Sequence, residues 1–439
     1  MRKDNKIEFD PRIFISKPFH KCPQCKKPDT FGVLWISGNS YTRRCRECWH
    51  TASYKLPQLN KKIIYLDQFV ISEMMKAINK KLKKTGSVNR FWQTLFEKID
   101  RLIKLQLIIC PDSSFHQDES AFYQFQAHKR MYEHLSNGSS FYDPGTIKRF
   151  QISDYFRQLV QGAEKPESKI ERKHIIRGHY NDWQERIRVS LNFDIKKEEL
   201  EQLKTTKARV NEALSQIFAA WKTEKYKKFN DWFVEEAMAF GREIVRQYCE
   251  YFSKLFYLSM GKLTVTADES FNMIMSNANT TIYSLQRYLS ETEDPDKKKE
   301  NLKKIIDFLL SDKMLEIPSN RLMALLWSAL ADQFAHGGRK RLPSDGIAND
   351  ISMVSTILPY CEAMFIDREM LGLLNHPEVK KDQKKRYKTI IFSAANKEEF
   401  LKYLDGIEKG ASKAHLEKVK EVYGEDWPRP FVDMYDYEP

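Results

Sequence analysis

The order of apolar and polar positions between Asn349 and Leu374 predicts a helix, a turn and a buried strand. Apolar residues follow Asp350 at Ile351, Met353, Val354, Ile357 and Leu358, the three-and-four spacing of one helical face, and Pro359 ends the pattern. Ala363 to Ile366 is then an unbroken apolar run closed by Asp367, which predicts a buried strand with a carboxylate at its carboxyl end. The same plan occurs upstream, where Lys61 to Leu66 reads as a β-rich strand ended by Asp67 and Gln68 begins a helical pattern. Residues 91–106 put Phe91, Leu95, Phe96, Ile99, Leu102 and Ile103 on one helical face, and Leu107 to Cys110 is a second strand broken by Pro111. After Asp367 the pattern predicts a helix at Met370 to Leu374, a Lys-rich turn, a strand at Thr389 to Phe392 and a helix at Lys397 to Tyr403. Alternating β and α segments predict an α/β core, a parallel sheet flanked by helices, in which carboxylates at strand ends converge on one crevice. Asp350 also suits a helix N-cap, and an aspartate after a strand is ordinary turn chemistry.

From about Ala121 to Leu342 the rhythm is almost purely helical, as in Trp232, Phe233, Ala237, Phe240, Ile244, Tyr248, Phe252 and Phe256, with breaks at sites such as Asp143-Pro144-Gly145 and Asp294-Pro295. A large all-α insertion therefore interrupts the core. The resulting division is a small module with an N-terminal arm at 1–58, core segments at 59–125 and 343–408, the helical insertion at 126–342, and a C-terminal tail at 409–439.

Composition narrows the classes. The chain has 439 residues, 41% hydrophobic and 30% charged, and no apolar run approaches the roughly 20 residues of a membrane span. The N-terminus lacks the apolar core of a signal peptide, so a cytoplasmic location is expected and no membrane partner. Net charge is +13; residues 1–62 hold 14 Lys/Arg and 5 Asp/Glu, so +9 of it sits there. A basic module on a larger body points to a polyanionic partner, nucleic acid in the first place.

That basic module carries Cys22/Cys25 and Cys45/Cys48, two Cys-x-x-Cys pairs separated by nineteen residues with hairpin-like runs around Ser37-Gly38-Asn39. Each pair offers two thiolates, and together they complete the tetrahedral sulfur set of a structural Zn²⁺, in the manner of a zinc ribbon. With four sulfur ligands no position is open for water, so this metal staples and does not catalyse. His20 and His50 are surplus to it. Arg43, Arg44 and Arg46 stand beside the second knuckle with Trp35, Tyr41 and Trp49, a mixture suited to phosphate contact and base stacking, or else to packing the ribbon's own core. The remaining cysteines are isolated in apolar stretches, which argues for a reducing compartment. A second basic candidate is the loop Ala335 to Arg341, whose Arg339, Lys340 and Arg341 precede Asp350; it is not a P-loop.

Following the second predicted strand, Ser113 or Ser114 can cap a helix bearing His116 and, one turn on, Glu119, with Asp112 and Asp118 as rival acids. In this order the acids resemble those of the PIN-like nuclease superfamily. Asp67 matches its acid after the first strand, Glu119 the acid in the helix after the second, Asp350 the one opening a later helix, and Asp367 the one after the next strand. The resemblance covers residues 60–125 and 343–408; Phe365 stands where the family has Thr or Ser, and Gln68 replaces a small polar residue after Asp67. It implies a Mg²⁺- or Mn²⁺-dependent endonuclease with RNA favoured over DNA, in which His116 contacts phosphate or assists proton transfer. Clustered carboxylates repel unless a cation offsets them, and hard oxygen ligands suit these two ions. The alternatives are a binding scaffold without turnover, acting on nucleic acid or a protein partner, and a metal-independent HEPN-like ribonuclease whose R-x6-H pair would be Arg172 and His179 on a helix.

Overall fold

A computed structural model describes residues 14–79, 90–114, 116, 126–168, 170–186 and 197–429. Its first element is a four-stranded antiparallel sheet in sequential order, β1 (Ser16–His20), β2 (Phe31–Ser37), β3 (Ser40–Cys45) and β4 (Thr51–Lys55). The β2–β3 hairpin turns on Gly38-Asn39, where Gly38 takes φ +54° as a two-residue loop requires.

The second sheet is parallel throughout. β5 (Lys62–Leu66) is flanked by β6 (Ile108–Ile109) on one side and by β9 (Ala363–Phe365) on the other, and β10 (Ile390–Phe392) lies beyond β9. One further parallel bridge, Asp112 to Ser140, brings up β7 (Ser140–Phe141), which also pairs with β8 (Ile176–Arg177). The predicted helical stretch thus contains two short strands. They were invisible in the pattern because two residues carry no alternation.

Both sheet faces are covered, which is why these strands read as continuous apolar runs. Ile64, Leu66, Ala363 and Phe365 face the helices Gln68–Ile78, Arg90–Lys104, Gln126–Ser136 and Lys397–Lys409. Ile63, Tyr65, Met364 and Ile366 face the helices Pro318–Ala335 and Ile347–Ile357, together with Trp221 and Trp232. The helix Pro318–Ala335, within the predicted insertion, therefore packs in the same core as the sheet. Where a Lys-rich turn was expected, Pro377–Arg386 is a helix: Pro377 starts it, Val379 and Gln383 are buried on one face, and Lys384, Lys385 and Arg386 in the last turn suit its negative end. The C-terminal helix Lys413–Tyr423 docks on the ribbon, Val419, Val422 and Tyr423 clustering with Val33, Ile36 and Tyr41.

Candidate functional site

The four cysteines converge. Their sulfurs all lie within 4.8 Å of one another, with Cys22 to Cys48 at 3.6 Å and Cys25 to Cys45 at 3.7 Å. These are too long for a disulfide, and they match the edge of about 3.8 Å that a tetrahedron with Zn–S bonds near 2.3 Å requires. The two knuckles have the same backbone. Lys26 and Trp49, each directly after a second cysteine, take φ of 61° and 64°, and their N–H groups donate to the Cys22 and Cys45 carbonyls, both at 3.1 Å. Glu47 N–H donates to Cys45 Sγ at 3.4 Å. Burial opposes ionisation of Cys45, yet donors from Cys48, Thr30 and Glu47 bring its thiol down to about 6. Four sulfurs this close fit a cation at their centre. His20 is exposed and His50 stacks on Phe31, so neither belongs to the set.

Around this centre the predicted basic residues separate. Arg43 is buried: its guanidinium donates to the carbonyls of Pro18 (2.7 Å), Phe31 (3.0 Å) and Glu421 (2.6 Å), so it clips the ribbon to the C-terminal helix instead of meeting phosphate. Tyr41 is likewise internal, its hydroxyl on Glu421 Oε1 at 2.5 Å. Arg44 lies over the Trp49 ring and Arg46 over Phe19. Trp35, Trp49 and Tyr54 remain exposed.

The second candidate lies at the carboxyl edge of the parallel sheet. Leu66 and Phe365 are in register, so Asp67 and Asp367 leave adjacent strand ends, and Asp67 N–H donates to Phe365 O at 3.0 Å. Both carboxylates cap helices. Asp67 accepts from Phe69 N–H at 3.3 Å and Asp367 from Met370 N–H at 2.7 Å. Burial, helped by the nearby Glu369 charge, lifts the Asp367 carboxyl above the ordinary range. Asp350 is different. Gly346 is the N-cap of Ile347–Ile357 and Asp350 sits in the first turn, partly buried, so the capping role expected for it does not hold. That helix runs back toward the start of β9, which leaves its N-terminus at the edge where Asp67 and Asp367 emerge. Ser344 N–H donates to Glu369 Oε2 at 3.1 Å and fixes this approach.

His116 is buried between the rings of Tyr65 (5.4 Å between centroids) and Tyr132 (4.5 Å). Its Nδ1 comes within 3.3 Å of Asp112 Oδ1 but is too poorly aligned to form a hydrogen bond, and among the described residues Nε2 has no partner either. Tyr132 hydroxyl donates to Gln68 Oε1 at 3.0 Å, linking this stack to the residue after Asp67. Glu119 and its rival Asp118 lie outside the described residues. Among the described residues no three carboxylates or histidines close to within 4.8 Å of one another; the cysteine set alone does.

In the basic loop, Arg339 is committed to Glu369 and to Gln333 Oε1 (2.9 Å), while Lys340 and Arg341 are exposed next to that edge. The expected HEPN helix is not there: Arg172 lies in a single 3-10 turn, Ile176–Arg177 is strand, and Gly178 takes φ +86° before His179. Arg172 pairs instead with Glu362 Oε1 at 2.5 Å, just ahead of β9. A cleft of about 710 Å³ lined by Arg172, Lys173, Tyr180, Tyr360 and Tyr387 opens there, at the opposite edge of the sheet from the aspartates. Sequence reasoning missed Tyr65, Tyr132 and Glu369; Tyr65, a polar-tipped ring one position from the end of an apolar strand, was the available signal. Comparison of the chain with family models, with curated proteins and with solved structures finds no match.

Proposed function

We propose that the protein is a PIN-like, metal-dependent nuclease acting at the carboxyl edge of the parallel sheet, with RNA the favoured substrate on the strength of the sequence resemblance. One observation carries the reading. Asp67 and Asp367 emerge from register-paired neighbouring strands at the point where the chain's connections diverge, β5 leading to β6 on one side and β9 to β10 on the other. Open α/β sheets bind ligands at such a switch point.

The donors that the resemblance names are all oxygen, the kind Mg²⁺ or Mn²⁺ takes. Asp367 is half-buried, and burial with the neighbouring Glu369 holds its carboxyl above the ordinary range, so a cation beside it would favour its charged form. By the resemblance Asp67, Asp350, Asp367 and Glu119 would hold the ion; the first three do not lie within 4.8 Å of one another in this structure, so they would have to draw closer around it. Such an ion supplies activation of a water and stabilisation of the leaving oxygen in phosphodiester hydrolysis. The helix caps fix the orientation of Asp67 and Asp367, and the exposed Lys340 and Arg341 offer phosphate contacts beside them. The ribbon, with Trp35 and Trp49 exposed and Arg44 partly buried against Trp49, would add a stacking platform for single-stranded nucleic acid.

A second reading, binding without turnover, is favoured by the fact that Asp67 and Asp367 already serve as N-caps. Cleavage of labelled single-stranded RNA and DNA with Mn²⁺, Mg²⁺ or EDTA, comparing wild type with Asp350→Asn, separates the two. Metal-dependent cutting lost in a folded variant supports the nuclease. Binding without cutting in either protein supports the scaffold, and equal cutting in EDTA sinks the carboxylate mechanism.

A further inference from the structure

Six cations stand in the nine residues from Lys380 to Lys388, with Asp382 the one acid between them. On the helix Pro377–Arg386, Val379, Asp382 and Gln383 are buried. At about 100° per residue, Lys381, Lys384 and Lys385 fall on the opposite side and Lys380 on its flank, and all four are exposed. Asp382 is held by Arg321 and Arg386, and Lys380 meets only the Asn375 side chain, at 3.0 Å. Among the described residues none of the four, nor the exposed Lys388, forms an ion pair. Lys380 precedes Lys384 by one turn and Lys381 precedes Lys385, so like charges repel along the helix. The helix Pro295–Leu309 has five lysines, yet Asp296, Glu300 and Asp307 accompany them, and Lys298 and Lys304 pair with Glu293 and Glu300.

The basic helix ends at the cleft on the sheet edge opposite the aspartates. Tyr387, directly after the helix, lines that cleft together with Ser168, Arg172, Tyr180 and Tyr360. A volume of about 710 Å³ is that of a small-ligand pocket. Among the described residues Ser168 Oγ is buried without a partner, and no group bonds to the Tyr180 or Tyr387 hydroxyl. Arg172 gives Nη1 to Glu362, and its other N–H groups have no partner among the described residues. Ring faces beside unused donors suit a flat group with an acceptor-rich edge, which describes a nucleobase. A base can enter such a cleft only from an unpaired strand. A membrane surface would call for large apolar side chains next to the lysines, and the helix exposes none.

We propose that the exposed face of Pro377–Arg386 and the tyrosine cleft beside it bind single-stranded nucleic acid. Backbone phosphates lie along Lys381, Lys384 and Lys385, and one base enters the cleft against Tyr180. The site needs no divalent metal and lies away from the aspartates, so it stands or falls apart from the nuclease reading.

The test is binding of labelled single-stranded RNA, single-stranded DNA and a matching duplex to the full chain, without Mg²⁺ or Mn²⁺ so that no strand is cut, over a range of salt. Wild type is compared with Lys381→Gln/Lys384→Gln/Lys385→Gln, with Lys297→Gln/Lys299→Gln/Lys303→Gln on the helix Pro295–Leu309, and with Tyr180→Leu and Tyr180→Phe. The first triple variant should keep the wild-type far-ultraviolet spectrum, because its lysines are exposed. It should weaken binding of either single strand at least about tenfold and make the log–log salt dependence shallower by about 2, at roughly 0.7 per phosphate. The second, with the same change in net charge, should bind as wild type does. Tyr180→Leu should weaken binding about fivefold or more, as loss of a stacked base does, and Tyr180→Phe, which keeps the ring, should stay close to wild type. Equal losses from the two triple variants, or an unchanged salt dependence in the first, overturn the phosphate track. A duplex bound as tightly as the single strands, or full binding by Tyr180→Leu, overturns the base in the cleft. A wild type that binds no nucleic acid but binds polyglutamate through the same three lysines overturns the proposal in favour of an acidic protein partner.

Discussion

Arg43 and Glu421 are 378 residues apart, yet Arg43 Nη2 donates to the Glu421 main-chain oxygen at 2.6 Å, and this buried contact joins the ribbon to the C-terminal helix.

Because the same guanidinium also satisfies Pro18 and Phe31, replacing it strands three carbonyls at once. Hydrogen bonds from a charged donor contribute about 1.5–3 kcal/mol each, without simple additivity. Arg43→Met should therefore destabilise the fold by roughly 3 kcal/mol in a denaturant titration. Arg46→Ala, exposed, and Arg44→Ala, partly buried over Trp49, should each cost no more than about 1 kcal/mol and weaken single-stranded RNA binding. If Arg43→Met behaved like the other two, the clip would carry no weight.

The zinc assignment makes a counting prediction. Cys249 is exposed, Cys110 and Cys361 are buried, and a metal would mask Cys22, Cys25, Cys45 and Cys48. The loaded native protein should show one fast-reacting thiol toward a disulfide reagent, and five after chelation. Native mass spectrometry should find one zinc, and its removal should unfold the ribbon first, since metal-binding energy is folding energy in so small a module. Five fast thiols before chelation, with no bound metal, would dismiss the site.

Much of this architecture was legible because burial writes itself into the sequence. Strands β5 and β9 are covered on both faces and so read as apolar runs, and Asp67 and Asp367 stand out as the polar residues that end them. Arg43 was not legible. Strand alternation puts it on one face of β3, but only the docking of Lys413–Tyr423, a segment remote in sequence, makes that face an interior. The helix Pro377–Arg386 was hidden for a related reason: Val379 is its one buried apolar residue, and the rest of the contact is made by Asp382 and Gln383. Asp350 was found as an acid, but its local role was misjudged, because the cap is the unassuming Gly346 one turn earlier.

Capping and metal binding by Asp67 and Asp367 can be told apart by paired substitutions. Asn caps a helix about as well as Asp, whereas Ala costs about 1 kcal/mol. Asp67→Asn and Asp367→Asn should keep wild-type stability and the Ala variants lose it. If the carboxylates hold an ion, all four should cleave RNA at least about 100-fold more slowly, as expected when a metal site is disturbed. Asn variants with full cleavage would confine both residues to capping.

At Gly241 the helix Phe229–Ser259 closely approaches the main chain at the end of Pro295–Leu309. A Cβ there would stand 1.8 Å from Leu309 O, a main-chain atom that cannot swing aside. Alanine favours a helix over glycine by about 1 kcal/mol, but overpacking costs about 1–3 kcal/mol or more. The clash should win, and Gly241→Ala should lower the melting temperature; a rise would mean that the two helices can separate at little cost.

Two buried lysines set the alkaline behaviour. Burial depresses the Lys61 ammonium to about 8, only partly offset by Asp182, and depresses Lys148 to about 8 with no opposing charge. Lys61 still donates to Asp182 O at 2.7 Å, and Lys148 to Met323 Sδ at 3.3 Å. In the unfolded chain both titrate near 10.4. Between about pH 8 and 10.4 the unfolded state holds more protons on these two groups, so their contribution to stability rises with pH; the buried Cys110 and Cys361 thiols, pushed up by burial, act in the opposite sense above about pH 8.5. Each lysine contributes a few kcal/mol at most across that window, on the scale of 1.36 kcal/mol per pKa unit. The rise is bounded above, because burial pushes the Tyr360 and Tyr403 phenols up to about 12. Beyond pH 10 the unfolded chain gives up those protons first, and stability falls. Denaturant titrations should thus show Lys61→Met and Lys148→Met each losing more stability relative to wild type as pH rises from 8 to 10. A difference between wild type and each variant that does not change from pH 8 to 10 would show that these ammonium groups keep enough water in the folded state to remain charged.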